Sequence, residues 1–152
     1  METARTLIRC YLEERRIDLC FQGIEEELAG LPGAYGPPRG ALFIAERRAV
    51  DDADKPHPVG IVALRALPSI GPGVCEMKRL YVAPAARGTG LGRRLVETII
   101  EAARRCGYRT MKLDTLARLK AANALYARCG FRPCPRYNDN PYPDVLYFAR
   151  DL

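Results

Sequence analysis

Leu80-Tyr81-Val82-Ala83-Pro84-Ala85-Ala86-Arg87-Gly88-Thr89-Gly90-Leu91-Gly92-Arg93-Arg94-Leu95 decides how this chain folds. An apolar, strand-like run stops at Pro84, passes through a glycine-rich turn set with arginines, and resumes at Leu91 with helical period. Gly88, Gly90 and Gly92 let the backbone turn successive N–H groups toward one point. Those groups then open a helix, whose dipole favours negative charge, so the arrangement predicts a pyrophosphate cradle. Arg87, Arg93 and Arg94 add local positive charge to it.

Working outward, Leu91, Leu95, Ile99, Ala102 and Cys106 recur at helical steps, Arg104 and Arg105 occupy the last turn, and Gly107 stops the helix. Met111 and Leu113 alternate in a strand over residues 109–115, so strand, helix and strand form a crossover between parallel neighbours. A further helix over 119–129 ends at Gly130, and short strands follow at 131–133 and 145–149. Upstream, apolar runs at 41–47, 59–67 and 74–82 read as an antiparallel meander, with residues 49–58 as a long polar hairpin loop between the first two. Two amphipathic segments, from Ala4 to about Arg16 and from Ile24 to Leu31, form an N-terminal helix pair. The expected class is α+β with a mixed sheet, one domain over residues 1–152.

Of the 152 residues 48% are hydrophobic, enough for one core, and no apolar run nears the roughly 18 residues of a membrane span. Residues 1–5 lack the long apolar core of a signal peptide, so the expected location is the cytoplasm, with no membrane partner. Six cysteines, at 10, 20, 75, 106, 129 and 134, show no C-x-x-C pair and have only His57 as a potential helper, which predicts reduced thiols and no metal. The net charge of +6 calls for an anionic partner. The arginines are spread along the chain without a zinc finger or an aromatic RNP-type strand, so a phosphorylated cofactor accounts for the local cluster better than nucleic acid does.

These motifs resemble the GNAT superfamily of acyl-CoA-dependent N-acyltransferases. The family's (Gln/Arg)-x-x-Gly-x-(Gly/Ala) signature stands here as Arg87-Gly88-Thr89-Gly90-Leu91-Gly92. Asn123-Ala124-Leu125-Tyr126-Ala127-Arg128-Cys129-Gly130-Phe131 resembles a second signature in shortened form. The resemblance spans about residues 74–133 and implies a GNAT-like fold, acetyl-CoA as co-substrate, and transfer to an amine of a small molecule or protein, with a homodimer as a further expectation. It implies that the third meander strand bulges and splays, so that Leu80, Tyr81 and Val82 meet the pantetheine arm through their backbone. The pyrophosphate would lie on the N–H groups from Arg87 through Gly88, Thr89, Gly90, Leu91 and Gly92 to Arg93, with the Arg87 guanidinium adding bonds.

Asn123 and Tyr126, three residues apart, share a helix face. The resemblance gives Asn123 the task of orienting the arm and Tyr126 that of protonating the leaving thiolate, while backbone N–H groups stabilise the tetrahedral intermediate. An ammonium with a pKa near 10.4 must lose a proton before it attacks a thioester. Glu76, six residues before Val82, matches the base glutamate of histone-acetyltransferase-like members, and strand alternation puts it on one side with Lys78, Leu80 and Val82 unless a bulge intervenes. A solvated residue paired to Lys78 or Arg79 is the other reading.

Lesser candidates are Asp114, facing the acceptor or capping a loop, and Cys75, whose neighbour Glu76 argues against a reactive thiolate. His57 is expected to be exposed, and Glu25 to Glu27 to be a solvated face. Tyr137-Asn138-Asp139-Asn140-Pro141-Tyr142 is the expected acceptor loop. Only Met1-Glu2-Thr3 precedes the first helical pattern, so the family's first strand is expected to be short or absent, leaving a sheet edge open. A non-catalytic acyl-CoA-binding module on the same fold is the alternative function.

Overall fold

The computed structural model describes residues 1–18, 23–49 and 52–152. The first element among the described residues is a helix, α1 (Glu2–Arg15), followed by α2 (Ile24–Ala29). The remaining order is β1 (Ala41–Ala49), β2 (Asp52–Ala66), β3 (Val74–Val82), α3 (Leu91–Arg105), β4 (Thr110–Leu116), α4 (Lys120–Arg128), β5 (Arg132–Pro133) and β6 (Val145–Asp151).

The strands form one mixed sheet in the order β1-β2-β3-β4-β6-β5. β1, β2 and β3 pair antiparallel as the expected meander, β3 and β4 run parallel on either side of the α3 crossover, and β6 returns antiparallel to β4. The hairpin between β1 and β2 differs from expectation. Glu46 pairs with Pro58, Arg47 with His57 and Ala49 with Asp52, so strand continues through most of residues 49–58; residues 50 and 51 lie outside the described part. Burial alternation cannot reveal a ribbon whose side chains, at Glu46 and His57 for example, are exposed on both strands.

Two apolar layers sandwich the sheet. On one face α3 sends Leu95, Val96, Ile99 and Ala103 against Val62, Leu64, Met77 and Met111. On the other, Leu7 and Ile8 of α1 and Leu28 of α2 cover Ile61, Ala63 and Tyr81. Consecutive residues of β2 thus serve opposite layers, which is why its central run is apolar without alternation.

Candidate functional site

β3 and β4 pair only from Val74 to Glu76 opposite Thr110 to Lys112. Beyond Glu76 the two parallel strands part, and the fork between them opens into a cavity of about 490 Å³. The ladder with β2 explains how β3 turns aside. Lys78 pairs with Ala63 and Tyr81 with Ile61, so Arg79 and Leu80 together oppose Val62: a β-bulge.

Arg79 adopts φ 59°, a left-handed conformation rare for a side-chain-bearing residue. Glu27 of α2 holds it there, accepting from Arg79 Nε at 2.7 Å and from Nη2 at 2.7 Å. The bulge also corrects the expected side sharing along β3. Cys75 and Met77 face the α3 layer before it, and Leu80 and Val82 face that layer after it, so Glu76 and Lys78 lie on the opposite side from Leu80 and Val82.

Leu80, Val82, Leu113, Leu125 and Tyr126 give the fork an apolar lining, and the glycine turn stands at its mouth. Gly88 (φ 76°) and Gly90 (φ 79°) are left-handed, and a Cβ at either would meet no atom within 4 Å, so the space above the turn is open. Gly90 caps α3, and Leu91, Gly92 and Arg93 are the first-turn residues whose N–H groups lack intrahelical acceptors. At Gly92 a Cβ would come within 3.2 Å of Leu125 Cδ2, so this glycine sets how closely α3 approaches α4. Thr89 closes the turn instead of facing outward: its hydroxyl donates to the Ala86 carbonyl at 2.7 Å. Gly90→Val places a β-branched residue at positive φ, about 1–3 kcal/mol of strain in the turn. It should weaken CoA binding tenfold or more by titration calorimetry, with the melting temperature falling only a few degrees.

Arg87 is already engaged. Its Nη2 donates to Glu14 of α1 at 2.5 and 2.7 Å, and its Nε donates to the Val82 carbonyl at 3.0 Å. The Tyr81 hydroxyl reaches the same Glu14 at 3.1 Å, so Tyr81 and Arg87 lock α1 against the turn, and Tyr81 has only its backbone to offer the fork. Arg93 borders the cavity but gives its Nε to Glu97 at 2.7 Å.

Tyr126 stands inside the fork, its ring set edge-on to Phe131 at 6.1 Å and tilted against Phe148 at 6.4 Å. Burial pushes its phenol well above the ordinary tyrosine range, so it carries its proton at neutral pH. Asn123, expected beside it, is turned away. Its amide nitrogen donates to the Leu116 carbonyl at 3.0 Å and its oxygen accepts from the Thr115 hydroxyl at 3.1 Å, tying α4 to the end of β4.

Glu76 is fully buried and does not border the cavity. Its Oε2 accepts from Arg65 Nε at 2.8 Å and Nη2 at 2.6 Å, its Oε1 accepts from the Tyr137 hydroxyl at 2.9 Å, and Lys78 Nζ lies 3.7 Å away. The solvated alternative does not hold: the carboxylate is paired, but in the interior. Cys75 is equally inaccessible, and burial pushes its thiol up to about 12. His57 is exposed on β2.

Asp114 does reach the fork. Lys78 donates to its Oδ1 at 3.0 Å across the parting strands, and Asn138 and Asn140 donate to its Oδ2 at 3.1 and 3.0 Å. Burial alone would raise its pKa, but the Lys78 charge and these hydrogen bonds outweigh it and hold the carboxyl at about 2. That contribution to stability is complete above the unfolded value near 3.9 and disappears as pH falls toward 2. Thermal melts should therefore show acid loss between about pH 4 and pH 2, and Asp114→Asn should flatten that slope.

The aromatic and amide-rich loop thus hangs from two carboxylates, Glu76 through Tyr137 and Asp114 through Asn138 and Asn140. Asn140 and Tyr142 border the cavity, and the Tyr142 hydroxyl accepts from the Asp18 N–H at 2.8 Å and donates to its carbonyl at 3.1 Å, joining the loop to the end of the α1 segment. Sequence reasoning missed the roles of Arg79, Glu27 and Glu14; Glu27, expected on a solvated face, is turned inward onto Arg79, and Arg79 pairs with it and not with Glu76. The pairs they form span 52 and 73 residues along the chain, and the only visible signal was the oddity of charged Arg79 inside the apolar run 74–82.

The sequence profile of the Acetyltransferase (GNAT) family matches residues 6–131. The chain belongs to this family. It is 38% identical over 152 residues to an uncharacterised N-acetyltransferase of Schizosaccharomyces pombe, a match covering all of this chain and 88% of the relative. A GNAT-family acetyltransferase structure from Staphylococcus aureus superposes with a TM-score of 0.78 at 19% identity, covering 99% of this chain and 92% of the other. A Bacillus subtilis acetyltransferase solved in complex with CoA gives 0.58 at 23% identity, over 75% of this chain and 78% of that one. The GNAT fold and acyltransferase class are thereby established. Among the described residues no group of metal-ligating side chains could hold an ion, and no helix is long and apolar enough to cross a membrane.

Proposed function

We propose that this GNAT protein transfers an acetyl group from acetyl-CoA directly to a primary amine, of a small molecule or of a protein, in the cytoplasm. The observation that carries the reading is the fork itself: an apolar slot with Tyr126 inside it and an open glycine turn at the start of α3 at its mouth. A slender arm of methylenes and amides ending in phosphates fits that sequence of surfaces, and the space above Gly88 and Gly90 suits the pyrophosphate. The co-substrate supplies a thioester whose carbonyl carbon is open to an amine.

In this reading the backbone groups of Leu80 to Val82 that β4 leaves untaken hold the arm, Asn140 and Tyr142 bound the side from which the amine enters, and the Tyr126 hydroxyl serves the departing sulfur. A C–N bond forms as the C–S bond breaks. The sulfur takes up a proton from Tyr126, and Tyr126 regains one from the protons the ammonium gives up, one of which is released to solvent. The buried Glu76 favours a structural duty over the base role expected of it, so water in the cavity takes the amine's proton. Detection of free thiol across a panel of amines with acetyl-CoA tests the function; no amine-dependent thiol release from any class would reject it.

Glu76→Gln separates the two duties of Glu76. The expected result is a lower melting temperature with turnover per folded molecule within about tenfold of the parent and an unchanged pH–rate profile. Loss of roughly 10²–10⁴ in turnover together with the disappearance of the acidic limb would restore Glu76 as the base.

A further inference from the structure

The fork runs from one helix layer toward the other, and its two ends differ. The α3 end carries the glycine turn. The opposite end is walled by Tyr11, Ile17, Leu119 and Tyr142, all packed in the layer of α1 and α2. A cofactor seated on the first turn of α3 occupies one end, so the acceptor meets the other.

Arg15, Lys78, Arg79 and Asp114 bring charge to that acceptor end. Most of it is neutralised within the protein. Glu27 accepts both close bonds of Arg79, and Asp114 accepts from Lys78 at 3.0 Å. Arg65 answers the nearby Glu76, and Arg118, over the Tyr142 ring at 5.2 Å, is held by Asp144 at 2.8 and 2.9 Å. Arg15 has no comparable partner among the described residues. Its nearest carboxylate is Glu14, with Oε1 3.7 Å from Arg15 Nε, and Glu14 already accepts two bonds from Arg87 and one from the Tyr81 hydroxyl. Residues 19–22, Leu-Cys-Phe-Gln, add no charge after it.

The acceptor end therefore carries one positive charge more than its carboxylates balance. Burial raises the phenols of Tyr11 and Tyr126, and both also feel the charges of Asp114 and Arg15, so Arg15 acts on the same space as the tyrosine that serves the sulfur. An acceptor with a second ammonium would meet Arg15 and Lys78 there and find only Asp114, which already accepts from Lys78, Asn138 and Asn140. An acceptor with a carboxylate would instead gain charge-assisted bonds from the Arg15 guanidinium. The hydrogen bonds between Tyr142 and residue 18 tie the loop wall to the α1 wall, which suits a small acceptor better than a polypeptide lying across both.

We propose that Arg15 binds a carboxylate on the acceptor, so that the enzyme acetylates the amine of an amino-acid-like small molecule and discriminates against polyamines. This rests on the acetyl-transfer reading above. The side chain is 35% exposed in the last turn of α1 and its one ion pair is long, so its substitution should leave the fold intact.

Steady-state thiol release with acetyl-CoA tests it, using the common amino acids, their carboxamides, putrescine, spermidine and an acidic tripeptide as acceptors. The parent should use its best amino acid at least tenfold better in kcat/KM than the matching carboxamide or either polyamine at low salt, with the margin shrinking as salt rises. The carboxamide's amine is the less basic of the two and more of it is free to attack, so a preference for the acid reports binding of the carboxylate. Arg15→Ala should erase the preference, mainly through KM, Arg15→Lys should keep part of it, and Arg15→Glu should reverse it toward putrescine. Arg9→Ala, which removes a positive charge from α1 outside the cavity, should keep the parent's preference. On the parent alone, the acid lacking the amine should compete with the amino acid, and its amide should not. A parent that favours carboxamides, polyamines or the peptide over every amino acid, a preference that survives Arg15→Ala, or no competition by the deaminated acid would overturn the carboxylate assignment alone. A parent that releases no thiol with any amine would overturn the acetyl-transfer reading with it.

Discussion

Tyr126→Phe should lower turnover by roughly a hundredfold or more while leaving CoA affinity nearly unchanged. The substitution removes one oxygen and keeps the ring, and it is the ring that packs against Phe131 and Phe148. Burial holds the phenol protonated at neutral pH, so it acts as a donor to the sulfur as negative charge develops there. No protein group among the described residues hydrogen-bonds this hydroxyl, which leaves its proton for a ligand in the fork. Steady-state rates against acetyl-CoA, paired with calorimetric CoA affinity, separate the outcomes. A large rise in the CoA dissociation constant with unchanged turnover would make Tyr126 a wall of the slot instead.

Glu27→Ala should cost about 3–5 kcal/mol of stability, the expected loss on stranding one member of a buried ion pair. The Arg79 side chain is only 3% exposed and Glu27 supplies both of its close acceptors, so its guanidinium would be left charged in the interior. Burial alone would raise the Glu27 carboxyl, but the Arg79 hydrogen bonds and charge hold it below its ordinary range, which marks the pair as ionised at neutral pH. The same contact keeps Arg79 at positive φ, so the bulge that turns β3 from β4 should relax and CoA binding should weaken beyond what instability explains. Differential scanning calorimetry should register a melting point lower by about 10 °C. A loss below about 1 kcal/mol would mean that the bulge is set by the strand pairing alone. Glu27→Gln, which keeps a hydrogen-bond acceptor, should fall between the parent and Glu27→Ala.

The parts of the site legible in the sequence were those fixed by local backbone chemistry. Glycines at 88 and 90 ahead of a strongly periodic helix announced the turn and α3, because left-handed backbone and a helix cap are demands that few other residues meet. Tyr126 was singled out because its stretch resembles a family signature, and its sharing of a helix face with Asn123 is a local property, although Asn123 itself spends its amide on β4. Long-range pairings were not legible. Glu76, Lys78 and Arg79 look like one charged patch on a strand, yet each answers to a different and distant partner: Arg65, Asp114 and Glu27. A bulge at a residue with a side chain leaves no mark in the alternation until the ladder is seen, and it alone moved Leu80 and Val82 to the face opposite Glu76. Arg87, correctly placed at the turn, proved to be a clasp for α1 through Glu14.

Amide hydrogen exchange with and without CoA tests the central claim most directly, because the fork offers the ligand backbone groups that no neighbouring strand takes. CoA should protect the amides of residues 79–82 and 88–93 while leaving β1 and the outer part of β2 unchanged. Protection confined to other segments, with 79–82 and 88–93 exchanging as in the free protein, would contradict the placement of the cofactor in the fork between β3 and β4.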